Sequence, residues 1–253
     1  MTPRSRRTRI DVLLVERGLA PTRAKAQALI LAGAVSSGSE RIDKAGTLVD
    51  PTIALEVAGD KNRFVSRGGE KLEHALVYFA AEGLDVAGAV AVDVGASTGG
   101  FTDCLLSRGV HKVYAVDVGY GQLAYPLRND PRVVVRERTN AKSVTRESFA
   151  EPIDLVVVDA SFIGLGKLMP AIASVLRPHG NLVALVKPQF EAGRDAARSG
   201  HGVIRDPVVR AGAIDGARSA VVATGFSIER EIDSAVPGPK GNVEHFLWAK
   251  RNA

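Results

Sequence analysis

The chain has 253 residues, 45% hydrophobic and 24% charged, with a formal net charge of +5. This is an ordinary globular composition, long enough for one large domain or for a domain plus a small module. No apolar run nears the roughly 18 residues of a membrane-spanning helix, and the Arg-rich start lacks the apolar segment of a secretory signal. The lone cysteine, Cys104, excludes an internal disulfide and fits a reducing cytoplasm.

Most of the excess charge sits in residues 1–25, where Arg4, Arg6, Arg7, Arg9, Arg17, Arg23 and Lys25 face only Asp11 and Glu16. A basic end suggests phosphate contacts, and a solvated basic tail is the plain alternative. Residues 1–60 read as a separate α+β module. Val12, Leu13, Leu14 and Leu19 mark a first short helix that Gly18 helps to end. Thr22 is a reasonable N-cap for a second, with Ala24, Ala28, Leu29 and Ile30 as its buried face and Gly33 as its stop. Arg23 and Lys25 fall in its first turn, where the helix dipole disfavours cations, so a ligand is the better reason for them. Val35 to Val57 alternates weakly and reads as small strands. The set Arg9-Ile-Asp11-x-x-Leu14, Gly18-Leu19, Thr22-Arg23-x-x-Ala26 and Leu29-Ile30-x-x-Gly33-x-Val35 resembles the S4 RNA-binding domain.

Residues 61–65 are a short junction, too apolar for a free tether. Residues 66–253 form the second domain. Its first helix carries Leu72, Ala75, Leu76 and Phe79 on one side, with Lys71 beside them. Next comes Ala89-Val-Ala-Val-Asp93-Val-Gly95-Ala-Ser97-Thr98-Gly99-Gly-Phe101-Thr: a buried strand, an acid, a glycine loop and a helix start. Such a unit holds a nucleotide-like ligand at the carboxyl ends of a sheet. The middle glycine of a dinucleotide fingerprint is replaced here by Ser97, and Asp93 would repel a pyrophosphate. A phosphate-free ligand with an amino group fits better, S-adenosylmethionine above all. The next strand ends in Asp117, placed to accept from ribose hydroxyls.

Further strands are expected over 132–135, 153–158, 181–186, 226–232 and 243–249, and helices over 122–128, 166–176 and 207–223. This alternation predicts an α/β, Rossmann-like sheet, mainly parallel, whose last two strands form an antiparallel hairpin. Asp159 and Lys187 then end parallel strands, and Glu244 opens an antiparallel one, so the three meet at one edge with Asp93 and Asp117. A buried lysine needs such partners. The five histidines have no metal-ligand spacing, and no metal is expected.

Asp93-Val-Gly-Ala-Ser-Thr-Gly-Gly-Phe-Thr, Asp117-Val-Gly-Tyr-Gly-Gln-Leu, Glu137-Arg-Thr-Asn140, Asp159-x-Ser-Phe-Ile, Val186-Lys-Pro-Gln-Phe-Glu and Pro237-Gly-Pro-x-Gly-Asn-Val-Glu244 are similar to the TlyA family, rRNA 2′-O-methyltransferases often called haemolysins. The resemblance implies an FtsJ-like catalytic domain with a Lys-Asp-Lys-Glu tetrad, carried here by Lys71, Asp159, Lys187 and Glu244. It also implies S-adenosylmethionine held by Asp93, Gly95, Ser97, Thr98, Gly99, Phe101, Asp117 and Asn140. The substrate it implies is a cytidine ribose in ribosomal RNA or a ribosomal subunit. RNA contacts are expected from Arg6, Arg7, Arg9, Arg23 and Arg67. The family's activity on 16S as well as 23S rRNA goes with a helical tail, whereas the last strand here ends near Ala253. In the expected chemistry Lys187 is the general base, with Lys71 as a nearby charge that helps to keep it neutral and Asp159 orienting it. Residues 193–202 are expected to form a mobile loop at the site, and the target nucleotide to be flipped out of its stack. An RNA-binding assembly factor without turnover is a competing reading. A pore-forming haemolysin is disfavoured for want of a membrane element.

Overall fold

A computed structural model describes residues 7–20, 22–31, 33–38, 40–57, 63–192, 202–238 and 240–253. Arg6 and most of the expected loop, 193–201, lie outside the described residues. The chain divides into two compact units, 1–61 and 62–253.

In the first unit, β1 (Thr8–Arg9) leads directly into α1 (Ile10–Glu16), and α2 (Arg23–Leu31) packs against it. Three short strands follow as one sheet: β2 (Val35–Ser37) lies between β3 (Glu40–Arg41) and β5 (Glu56–Val57). The intervening β4 (Leu48–Val49) pairs instead with β1. Ile10, Leu13, Leu14, Ala26, Ile30, Val35 and Val49 form the core. The Thr22 hydroxyl accepts from the Lys25 N–H at 3.2 Å, which caps α2. The buried face of α2 differs from the expected one. Ala26 and Ile30 are buried, whereas Ala24 and Ala28 are exposed. Alanines recur on several faces of this helix, so the apolar pattern does not choose between them.

The second unit opens with α3 (Arg67–Ala81), β6 (Val90–Val94), α4 (Gly100–Ser107) and β7 (Lys112–Val116). It continues with α5 (Tyr125–Arg128), β8 (Val133–Arg136), β9 (Ile153–Val158), α6 (Met169–Val175) and β10 (Leu176–Val186). It closes with α7 (Pro188–Glu191), α8 (Pro207–Ala223), β11 (Phe226–Asp233) and β12 (His245–Arg251). The seven strands lie in the order β11-β12-β10-β9-β6-β7-β8. Pairing is parallel from β10 through β8, and β12 runs antiparallel to both its neighbours. Each face of the sheet has its own core. Val92, Val94, Val156 and Val158 belong to one, and Ala91, Val113, Leu155 and Val157 to the other. Burial on both faces explains why these strands read as unbroken apolar runs.

Two helices are shorter than the periodicity predicts. α5 begins only at Tyr125, because Pro126 has no N–H and suits a first turn. Residues 165–167 form a 3₁₀ turn, and α6 starts after it with Pro170 in its first turn. Junction residues 63–65 are docked on the second unit. Phe64 is buried, Glu70 accepts from the Arg63 N–H at 2.9 Å, and Asp103 accepts from the Val65 N–H at 2.8 Å. No helix among the described residues is long and apolar enough to cross a membrane.

α3 and α4 touch through backbone. A methyl group on Gly100 would stand 2.2 Å from Ser66 Oγ and 2.8 Å from the Gly69 nitrogen. Gly100→Ala should therefore force these helices apart and destabilise the second unit by about 1–3 kcal/mol, read as a lower urea midpoint.

Candidate active site

The loop after β6 is held from three sides. The Gly95 and Ala96 N–H groups donate to the Val116 carbonyl at 2.9 and 3.2 Å. Gly95 has φ +87, and a Cβ there would meet the Asp159 carbonyl oxygen at 2.9 Å. Only glycine allows so close an approach in the left-handed region. Asp117, just past β7, accepts from the Ser97 N–H at 2.8 Å and from the Gly119 N–H at 2.6 Å. A carboxylate has about four acceptor positions, so Asp117 keeps capacity for a ligand's hydroxyls.

Three adjoining cavities lie along the carboxyl edge of the sheet, and Asp159 borders all of them. The first, about 440 Å³, is lined by Ser66, Gly68, Gly95, Ser97, Thr98 and Phe101 among others. The second, about 370 Å³, holds Asp117, Gln122, Asn140 and Phe162. The third, about 550 Å³, holds Lys71, Lys187, Glu244, Ser161 and Phe190. The second cavity carries two carboxylates, Asp117 and Asp159, and no cation among the described residues of its wall. That chemistry suits a neutral nucleoside with free hydroxyls and opposes a phosphate. With the glycine cradle at Gly95, it fits the adenosine end of S-adenosylmethionine.

The third cavity contains two ion pairs. Lys71 Nζ donates to Glu244 Oε2 at 2.5 Å. Lys187 Nζ lies 2.6 Å from Asp159 Oδ1, 3.0 Å from Ser161 Oγ and 3.4 Å from the Asp159 carbonyl oxygen. Lys71, Lys187 and Glu244 are buried. Topology brings them together: Asp159 and Lys187 directly follow parallel β9 and β10, and Glu244 directly precedes antiparallel β12. Burial pushes the Asp159 carboxyl up, while Lys187 and then Lys71 pull it down. Lys71 is paired with Glu244 and also acts on the Asp159 carboxyl.

Several expected residues stand elsewhere. Asp93 lies inside β6, fully buried, and borders none of the three cavities. Its Oδ2 accepts from Thr102 Oγ1 at 2.7 Å, which ties the strand to α4. Its Oδ1 is buried without a hydrogen-bond partner among the described residues. Burial pushes this carboxyl up to about 7. A carboxylate near a strand end can point into the protein as well as out, and sequence does not say which. Gly99, at φ +96, fits behind the loop against Leu127. Phe101 lines the first cavity and stacks on Phe246 at 6.2 Å. Asn140 caps a short turn, accepting from the Lys142 N–H at 3.0 Å. Arg67 is on the wall of the first cavity and donates to the Pro237 carbonyl at 3.0 Å.

In the first unit, Asp11 is fully buried beneath two arginines. It accepts from Arg9 Nε and Nη2, both at 3.0 Å, from Arg23 Nε at 2.9 Å and from Gln27 Nε2 at 2.9 Å. Arg9 above all holds this carboxyl well below the usual carboxylate range. The first-turn Arg23 thus has a structural partner as well as an exposed face, and Arg7 is exposed. Ser161, Phe162 and Gln189 line the third cavity; the sequence shows them only inside the family-like blocks and gives them no role. Phe162 is 89% exposed at φ +64 and packs on Phe190 with centroids 5.0 Å apart. No periodicity marks an exposed aromatic. No group of acids, histidines and cysteines among the described residues could hold a metal ion.

Residues 64–251 match the FtsJ-like methyltransferase family, and residues 8–52 match the S4 domain. The chain is 47% identical to the 16S/23S rRNA (cytidine-2′-O)-methyltransferase TlyA of Mycobacterium tuberculosis, over 97% of this chain and 91% of that one. It is 42% identical to Hemolysin A of Brachyspira hyodysenteriae, over 94% and 99%. A solved haemolysin-named structure from Streptococcus thermophilus has 39% identity and a TM-score of 0.74, covering 98% of this chain and 90% of that one.

Two measurements test the geometry. Glu244→Leu strands a buried ammonium and should cost about 3–5 kcal/mol of stability, much of which Lys71→Met in the same chain should restore. Activity should stay lost in both. Asp93 has its folded value raised above 3.8 to about 7. Its contribution is then complete at pH below the ordinary carboxylate range and lost as pH rises through about 7. Asp93→Asn, which keeps an acceptor for Thr102, should flatten that decline in urea midpoints taken from pH 4 to 8.

Proposed function

This chain belongs to the TlyA family of FtsJ-like methyltransferases, and from that premise we propose that it methylates the 2′-oxygen of a cytidine ribose in ribosomal RNA. One observation carries the reading: Lys71, Asp159, Lys187 and Glu244 surround one cavity, and Asp159 also borders the two cavities suited to S-adenosylmethionine. Asp117 and Asn140 would hold the adenosine, and the backbone of Gly95 to Thr98 with Phe101 the remainder. Bound there, S-adenosylmethionine supplies a methyl group already activated on a sulfonium.

The protein's task is alignment and removal of one proton. A ribose hydroxyl is a weak nucleophile, and positioning alone is worth several kcal/mol. Lys187 Nζ, in its neutral form, would accept the ribose proton as the oxygen bonds to the methyl carbon and that carbon's bond to sulfur breaks, leaving a neutral thioether. Asp159 orients that amine, and the Lys71–Glu244 pair shapes the cavity and offers ribose its polar contacts. Phe162 presents a bare ring beside the cavity, a face on which an unstacked base can lie.

The S4 unit supplies affinity. Asp11 keeps Arg9 and Arg23 together, and Arg7 lies just before Arg9 in sequence, so this edge offers several guanidinium groups to phosphates. 23S rRNA is the first substrate to test. 16S rRNA is the second, given the full-length likeness to a 16S/23S enzyme. A cytoplasmic location goes with a ribosomal substrate.

The deciding experiment is methyl transfer from labelled S-adenosylmethionine to unmodified 23S and 16S rRNA and to ribosomal subunits, with the labelled ribose mapped. Label on a cytidine 2′-oxygen, reduced about 10²-fold or more by Lys187→Met, is the expected result. No transfer to any of these RNAs would overturn the reading. RNA affinity should fall roughly 10³-fold or more between 50 and 200 mM salt if about six phosphates are contacted, and a flat response would remove the arginine edge from the interface.

A further inference from the structure

Lys187 is held by a single tripeptide. Its Nζ makes two contacts with Asp159, an ion pair with Oδ1 at 2.6 Å and a hydrogen bond to the main-chain oxygen at 3.4 Å. The remaining one is the Ser161 hydroxyl, at 3.0 Å. Ser161 sits at the divide between the second and third cavities and lines both. We propose that Ser161 is a positioning residue for methyl transfer, fixing the rotation of the Lys187 amine so that one direction of Nζ stays available to the ribose hydroxyl. This rests on the proposed role of Lys187 as proton acceptor.

The reasoning is geometric. An amine on a four-carbon stem spins freely about its last bond. One off-axis contact sets the torsion about that bond, and a second in another N–H direction narrows it and marks which direction is left for a ligand. Asp159 Oδ1 and Ser161 Oγ are the two short contacts. The third direction has only the 3.4 Å contact with a carbonyl, so a substrate oxygen can take it over. A hydroxyl also suits a group that changes protonation, since Ser161 can accept from the ammonium and turn to donate elsewhere once the proton has gone. The Asp159 carboxylate, once ionised, can only accept. Ser161 is exposed, so its side chain adds little to the stability of the fold.

The charged groups around Lys187 come from several elements. Asp159 follows β9, Glu191 ends α7, Lys71 is on α3, and Lys240 and Glu244 precede β12. The Phe190 ring lies 5.9 Å from Nζ. None of these changes in a Ser161 variant, so a changed pH response reports on the hydroxyl itself.

The test uses full-length protein carrying Ser161→Ala or Ser161→Thr, with the RNA that the wild type methylates. An acceptor removed from the ammonium makes the proton easier to lose, so the acid limb of the rate profile should move to lower pH in Ser161→Ala. Turnover at its plateau should fall about tenfold, the worth of one hydrogen bond to a charged group. Binding of S-adenosylhomocysteine by calorimetry should stay within about twofold of wild type, a change too small for a lost hydrogen bond. Ser161→Thr, which keeps the hydroxyl, should restore both turnover and limb. Unchanged turnover in Ser161→Ala would overturn the proposal, and so would a loss that leaves the acid limb in place or that threonine does not repair. Failure of the underlying reading looks different: wild type would transfer no methyl, or Lys187→Met would match it.

Discussion

Two ammonium groups are buried at one edge of a parallel sheet, and their need for partners constrains the rest of the second unit. Each would cost several kcal/mol if left alone in that setting. Lys187 is met by Asp159 from the neighbouring parallel strand. Lys71 cannot be met the same way, because Asp159 is already engaged. Its partner is Glu244, which precedes β12. Glu244 reaches this edge only because β12 runs antiparallel, which puts its start beside the ends of the others. A parallel strand at that place would carry the glutamate to the opposite edge. The reversed final hairpin is therefore part of the active-site design as well as a way to close the sheet.

The same edge must also make room for a ligand. The loop after β6 crosses the end of β9 so closely that a side chain at Gly95 would strike the Asp159 backbone. That contact sets the distance between the glycine loop and the Asp159 carboxylate. Asp117 fixes the loop from the other side through the Ser97 N–H and braces its own turn through the Gly119 N–H. Asp93 works from beneath, tying β6 to α4 through Thr102. Three carboxylates at three strand ends thus have three different tasks, decided by which way each side chain turns. One supports from within, one orders the loop and faces a cavity, and one pairs with Lys187.

Much of this was legible in the chain. Short apolar runs ending in Asp or Lys give away parallel strands, since a strand buried on both faces has no polar alternation and the first polar residue marks its exit. That placed Asp117, Asp159 and Lys187 at one edge, and the reversed strand placed Glu244 there too. Lys71 was different. On a helix its residue type and spacing fit an ordinary surface position, and only the family resemblance singled it out. Asp93 shows the limit of the method, because a strand-end carboxylate and a buried strut have the same sequence. Phe162 and Ser161 were hidden for another reason. Their importance comes from a turn that folds back on Lys187, and turns carry no period. The arginines of the first unit were found by charge, but their shared anchor at Asp11 was not, since Arg9, Asp11 and Arg23 meet only when α1 and α2 pack.

That anchor bears on how recognition and chemistry divide between the units. Phosphate contacts give affinity without sequence information, and a cavity of this size accepts about one nucleotide. Neither alone selects one ribose in a large RNA. Arginines free to wander would bind many phosphates weakly, each losing rotamer freedom on contact. Held on a buried carboxylate, Arg9 and Arg23 have lost that freedom in advance, so less is lost when a phosphate arrives. Asp11 offsets the mutual repulsion of the two cations, yet leaves each partly exposed to solvent. The buried carboxylate in the small unit does for two guanidinium groups what Asp159 does for Lys187: it turns a mobile cation into a fixed one.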